Sequence, residues 1–192
     1  LTSSMLNQQE KEQAFEETKR IPELVHRNEH VIVPIQAMVD KAKEYLFLEE
    51  NEKPSDELLE SIAFGLLANM ILEGLYFSGG FTYFHSLARD QKMIGSNNMI
   101  QLIRDDENQH STFYGMLFQI VMGENPQLAT PENYKKALSY VVEAVNREKV
   151  WATYIFQGID TLSIKEYHNY VEYLANLICR NAGIEEPYPE NE

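Results

Sequence analysis

One segment of this sequence places a carboxylate and an imidazole at successive positions of an apolar helical stripe. Ile100, Ile103, Glu107, His110, Tyr114, Leu117 and Val121 recur in steps of three and four, the spacing of a single helix face. An ionised carboxylate buried without a partner is strongly disfavoured, so Glu107 at such a position calls for compensation. An earlier segment does the same with Ile62, Leu66, Met70 (or Asn69), Glu73 and Phe77. Glu107-x-x-His110 sets an oxygen ligand and a nitrogen ligand side by side. A further glutamate, Glu73, from a facing helix would complete a hard, carboxylate-rich site suited to iron or manganese. The competing reading is a hydrogen bond between Glu107 and His110, or from either to a neighbouring chain. Spacing alone leaves both open.

A second Glu-x-x-His occurs at Glu23-Leu24-Val25-His26. It begins one residue after Pro22, in a first helical turn where acidic residues commonly serve the helix dipole. Arg27, Asn28 and Glu29 beside it read as a solvated face, so this motif is not expected to bind metal.

The elements that must position these groups are helical almost throughout, and no run of apolar/polar alternation is long enough for a strand. A first helix is expected from about Gln8 to Arg20. A second opens at Pro22 and runs toward Leu48, with Pro34 inside it as a kink. Glu50-Asn51-Glu52-Lys53-Pro54 reads as a polar linker. Ser55 then caps a long helix through Phe77, in which Gly79-Gly80 should cause a local distortion. Gly95-Ser96 precedes a helix from about Asn97 to Met122, closed by Gly123 and Pro126. Thr130 and Pro131 open another that ends near Gly158. Ser163 with Glu166 forms a capping box for the last helix, which Gly183 stops. Long amphipathic helices with short loops predict an all-α antiparallel bundle, one domain or a piece of one over residues 1–192.

The formal net charge of -14 argues against nucleic acid or an anionic membrane surface as the main partner. No apolar run approaches the ~20 residues needed to span a bilayer, and no signal-peptide pattern opens the chain. The single cysteine, Cys179, excludes an internal disulfide and suits a reducing cytoplasm. Leu1, rather than Met, at the start leads us to expect a fragment.

Leu72-Glu73-Gly74-Leu75-Tyr76-Phe77-Ser78-Gly79-Gly80-Phe81, then Lys92-Met93-Ile94-Gly95, then Ile103-Arg104-Asp105-Asp106-Glu107-Asn108-Gln109-His110 resemble the small (beta) subunit of class I ribonucleotide reductase. Glu148-Lys149-Val150-Trp151-Ala152 and Tyr170-Val171-Glu172-Tyr173 resemble that family's later helices, so the likeness covers essentially the whole chain. It implies a ferritin-like bundle, incomplete at the N-terminus, and an oxidoreductase of deoxyribonucleotide biosynthesis. Glu73, Glu107 and His110 match three of the family's six metal ligands, for a di-iron, di-manganese or mixed Mn/Fe centre. Asp106 matches an aspartate that bonds a ligand histidine and lies on the radical-transfer route. Phe77, Phe81 and Ile103 match the apolar pocket that shields the radical, with plain core packing as the simpler reading. The implied partners are the large (alpha) subunit and a second copy of the chain, with no nucleic acid and no membrane. No phosphate-cradling loop is present, so no nucleotide site is expected here.

In the family, earlier helices supply an aspartate, a glutamate and a histidine, with a radical tyrosine following the histidine in most members. Leu1-Thr2-Ser3-Ser4 resembles the stretch just after them, and Glu190-Asn191-Glu192 precedes the tail that docks the large subunit. The expectation is therefore the C-terminal half of the metal-binding core, inactive alone, with none of its 11 tyrosines assigned as the radical. Two alternatives remain open. One is another ferritin-like di-metal oxidase or oxygenase acting on a bound organic ligand, and the other is a metal-free helical interaction fragment.

Overall fold

The computed structural model describes residues 7–46 and 53–191, all helix and connecting turns with no strand among them. The helices are α1 (Gln8–Thr18), α2 (Pro22–Tyr45), α3 (Asp56–Ile71), α4 (Ser78–Arg89), α5 (Ile94–Glu124), α6 (Pro131–Ile155) and α7 (Ile164–Ala182). A single wide turn of π-helix, Leu72–Tyr76, joins α3 to α4. Leu1–Ser4, Glu192 and most of the expected linker at Glu50–Pro54 lie outside the described residues.

Local chemistry sets most boundaries. Ser55 Oγ accepts the Leu58 N–H at 3.2 Å, and Thr130 Oγ1 accepts the Asn133 N–H at 3.2 Å ahead of Pro131. Ser163 Oγ accepts the Glu166 N–H at 3.2 Å, the hydroxyl half of the expected capping box. A full box forms instead at α1, where Asn7 Oδ1 takes the Glu10 N–H at 3.0 Å and Glu10 Oε2 takes the Asn7 N–H at 2.7 Å. Gly183 ends α7 with φ of 69°. Helix α5 begins earlier than expected, after Met93 at φ of 51°, so Gly95 and Ser96 lie in its first turn.

Helix α3 is the centre of the bundle, and α2, α5, α6 and α7 all pack on it. Its Leu67, Met70 and Ile71, with Leu75 of the wide turn, meet Val141 and Val145 of α6 and Val171 and Ile178 of α7 in the core. By length and composition Asp56–Arg89 is apolar enough to cross a membrane, with an 18-residue window of mean hydropathy 1.6. That corrects the expectation that no such run exists. Half of that window is buried inside the bundle, the position of a core helix.

Two further expectations are corrected. The long helix from Ser55 distorts at Leu72–Tyr76, around Glu73, whereas Gly79 and Gly80 lie in regular α4. The buried face of α5 is Asn97, Ser111, Gly115, Phe118 and Met122, rotated from the expected stripe. Glu107, Tyr114, Leu117 and Val121 form its half-buried shoulder, and Ile103 and His110 are exposed. The reason is that α5 carries a second apolar stripe. Met99, Leu102, Phe113, Met116 and Ile120 are exposed on yet another face, so periodicity could not choose among them.

Candidate metal centre

The wide turn aims Glu73 at α5. Its Phe77 N–H reaches back five residues to the Leu72 carbonyl at 3.2 Å, and such turns recur at functional sites. Gly74 lets α5 come close, because a Cβ there would lie 2.5 Å from Ser111 Oγ. Ser111 in turn donates its hydroxyl to the Met70 carbonyl at 3.2 Å, just before the wide turn.

Across this contact Glu73, Glu107 and His110 each offer one ligand atom, and the three atoms lie within 4.8 Å of one another. His110 Nδ1 is 2.7 Å from Glu107 Oε2, the bond that spacing had offered as the rival to metal binding. The two readings coexist here, since the pair converges on a third carboxylate. Glu73 Oε2 is buried without any hydrogen-bond partner. Two carboxylates, one of them with an orphaned buried oxygen, and an imidazole form a donor set that suits a hard or borderline divalent cation.

The electrostatics agree. Burial, and then the neighbouring Glu107 carboxylate, push the Glu73 carboxyl up to about 7. Burial is the larger cause, ahead of a hydrogen bond with Glu107 and then the repulsion between facing acids. The Glu107 carboxylate raises His110 above its ordinary value. Protons thus stand in for positive charge in the metal-free cluster, and a cation entering it would displace them.

The other residues singled out from sequence have different surroundings. The rings of Phe77 and Phe81 meet edge to face, with centroids 6.3 Å apart. Phe81 is half-buried, while Phe77 and Ile103 remain 36% and 42% exposed. Asp106 is exposed and acts on His110 through its charge, while Arg104 pairs with Asp105 at 3.1 Å rather than with Asp106. Glu23 and His26 lie elsewhere, in a surface groove with Glu143, Asn146, Arg147 and Val150. Among the described residues, the Glu73 cluster alone has the geometry of a metal site.

Arg27 is a correction of a different kind. Expected on a solvated face, it is buried, with Nε 2.5 Å from Glu148 Oε2. Tyr167 donates its hydroxyl to Glu148 Oε1 at 2.7 Å, and Ser78 Oγ lies 2.8 Å from the Tyr167 oxygen. Burial raises the Glu148 carboxyl, with Arg27 and Tyr167 opposing the shift. A sequence signal existed for half of this network. Glu148 interrupts the apolar stripe Val141, Ala144, Val145 and Ala152, as Glu73 and Glu107 interrupt theirs.

The family model "Ribonucleotide reductase, small chain" matches residues 1–192. A ribonucleoside-diphosphate reductase subunit beta of Halalkalibacterium halodurans is 31% identical over 189 residues, 98% of this chain and 50% of that protein. The protein of the same name from Treponema pallidum is 34% identical over 139 residues, covering 72% of this chain and 40% of its own length. A crystal structure described as a class I ribonucleotide reductase from Bacillus halodurans superposes with a TM-score of 0.79 at 28% identity. That match covers 99% of this chain and 63% of the other. A ribonucleotide reductase subunit of Clostridium botulinum shares the fold, with a TM-score of 0.77 at 24% identity and coverage of 99% and 56%. The chain spans about half the length of the first of these curated relatives. With the whole chain matched by the family model, and with the bundle and its acid cluster in hand, the chain belongs to the ribonucleotide reductase small-chain family.

Proposed function

We propose that this chain is the part of a class I ribonucleotide reductase beta subunit that contributes Glu73, Glu107 and His110 to a di-metal centre. The reaction served is reduction of ribonucleotides to deoxyribonucleotides by a large subunit, with a second copy of the beta chain as partner and the cytoplasm as setting. Iron or manganese held there would supply the one-electron oxidising chemistry, which side chains alone cannot provide. One observation carries the reading: three donor atoms from two elements lie within 4.8 Å, one of them on a carboxylate that has a buried, unpaired oxygen.

The chain's own residues have separable tasks in this reading. Glu73, on the wide turn, brings its carboxylate to α5 and gives up the proton that its burial retains. Glu107 and His110 supply the adjacent oxygen and nitrogen from one helix face. Asp106 sets the charge beside His110, a role suited to tuning an imidazole ligand. Phe77, Phe81 and Ile103 provide an apolar flank that would exclude water once covered.

The test is a titration of the chain with Mn(II), followed by electron paramagnetic resonance and by thermal unfolding. Binding should raise the melting temperature, as any ligand of the native state alone does. Glu107→Ala should abolish both the bound-metal signal and the thermal shift. Equal binding by wild type and Glu107→Ala, or none by either, would overturn the assignment.

A further inference from the structure

The guanidinium of Arg27 does more than neutralise Glu148. While Nε faces Glu148 Oε2, the terminal NH2 nitrogen donates to the backbone carbonyl of Tyr76, the last residue of the wide turn. The guanidinium carbon also stands 4.1 Å from the centroid of the Tyr76 ring. One side chain from α2 therefore grips both backbone and side chain where the turn carrying Glu73 returns to regular helix. At the entry to that turn, Ser111 of α5 holds the Met70 carbonyl at 3.2 Å. Carbonyls flanking a wide turn need donors from outside the helix, and here both flanks have one.

Glu148 fixes Arg27 in turn. It is wholly buried, accepts from both Arg27 and Tyr167, and packs against Gly79, where a Cβ would sit 3.1 Å from its Oε1. The first turn of α4 is thereby seated on the same network, through Gly79 and the Ser78–Tyr167 contact.

We infer that Arg27, anchored by Glu148, is a positioning residue: it holds the wide turn in register so that Glu73 reaches Glu107 and His110. The inference rests on the reading of Glu73 as a metal ligand and extends that site to an element that touches none of the ligands. It requires a fork of N–H donors that serves two acceptors at once, which arginine has and lysine lacks. Arg27→Lys keeps a cation for Glu148 but cannot hold the carboxylate and the Tyr76 carbonyl together.

The experiment compares wild type, Arg27→Lys and the charge-free pair Arg27→Gln/Glu148→Gln. Amide hydrogen exchange is followed without metal, and Mn(II) affinity is measured by titration. The expected result is exchange at least about tenfold faster for residues 74–78 in both variants, with the amides of 63–68 in α3 unchanged. Mn(II) affinity should fall about tenfold or more, the usual loss when the support of a ligand is removed. Exchange that rises uniformly, affinity equal to wild type, or failure of both variants to fold would each overturn the inference and leave Arg27 a stabilising residue only. Wild-type protein that takes up no Mn(II) would overturn the metal reading itself. Binding by wild type and Arg27→Lys alike would overturn the positioning role and leave that reading intact.

Discussion

Two acidic sites, one on the wide turn and one linked to its end through Arg27, solve the same problem differently. At Glu148 a carboxylate with no exposure has one oxygen on Arg27 and the other on Tyr167, so each oxygen has a protein donor. At Glu73 a half-buried carboxylate faces a second acid, and its buried Oε2 has no hydrogen-bond partner. Both interrupt apolar helical stripes, so composition and spacing cannot tell them apart. Hydrogen-bond satisfaction can. A buried acid completed by its neighbours is part of the scaffold, whereas acids that converge and remain incomplete mark a place for a cation.

The sharpest way to break this contrast is to remove the satisfied acid. Glu148→Ala leaves Arg27 buried and unpaired, and loss of one partner of such a pair costs roughly 3–5 kcal/mol. Chemical denaturation should show a loss of that size, and Arg27→Met/Glu148→Leu should recover much of it. A cost under about 1 kcal/mol would mean that the network is not scaffold.

Next in size is Gly74→Ala. Its Cβ would meet the buried Ser111 hydroxyl at 2.5 Å, so α5 and the wide turn must separate. Overpacking of this kind costs about 1–3 kcal/mol. The same shift draws Glu73 away from Glu107, so Mn(II) affinity should fall together with stability. Unchanged affinity in a destabilised Gly74→Ala chain would separate the close approach from the metal cluster.

The legibility of these features in the sequence follows from how local each one is. Ser55, Thr130 with Pro131, Ser163 and Gly183 were readable as helix ends because a cap is decided within three or four residues. Glu73, Glu107 and His110 were readable as a candidate site because each breaks a periodic apolar run. The face of α5 was not, since Met99, Leu102, Phe113, Met116 and Ile120 offer a second apolar stripe, and only contact with α3 and α7 selects the buried one. The burial of Arg27 is not legible locally, because its acid lies 121 residues away in the chain. The wide turn was misplaced because a glycine pair is a visible breaker, whereas the causes of a π turn at Leu72–Tyr76 lie on other helices.

A smaller effect separates the two acids by pH. In the metal-free chain Glu73 keeps its proton up to about pH 7, against 4.5 for an ordinary glutamate. The folded state binds this proton more tightly than the unfolded state does. Its stabilising contribution is therefore complete below about pH 4.5 and is lost as pH rises through about 7. Glu73→Gln removes the titration. The stability of wild type relative to Glu73→Gln should decline between those limits and stay flat above them, as read by urea denaturation across the range. His110, also raised, slopes in the same direction in wild type, so the difference between the two chains carries the Glu73 contribution. Parallel curves would show that the cluster does not hold a proton as described.

The smallest predicted change tests where the influence of the Glu148 network stops. Gly79 and Gly80 are adjacent in α4, yet only Gly79 faces that network. A Cβ on Gly79 would lie 3.1 Å from Glu148 Oε1 and 3.2 Å from the Tyr167 hydroxyl, whereas one on Gly80 would meet nothing within 4 Å. Glu148 and Tyr167 are each fixed by two hydrogen-bond partners, so neither can give way cheaply. Gly79→Ala should therefore destabilise. Gly80→Ala should stabilise by about 0.5–1 kcal/mol, the ordinary gain from replacing an unconstrained helical glycine. Thermal unfolding of the two single variants decides it. Opposite signs at neighbouring positions would trace the edge of the rigid scaffold to one residue, and equal stabilisation would mean that the network yields where this contrast requires it to be fixed.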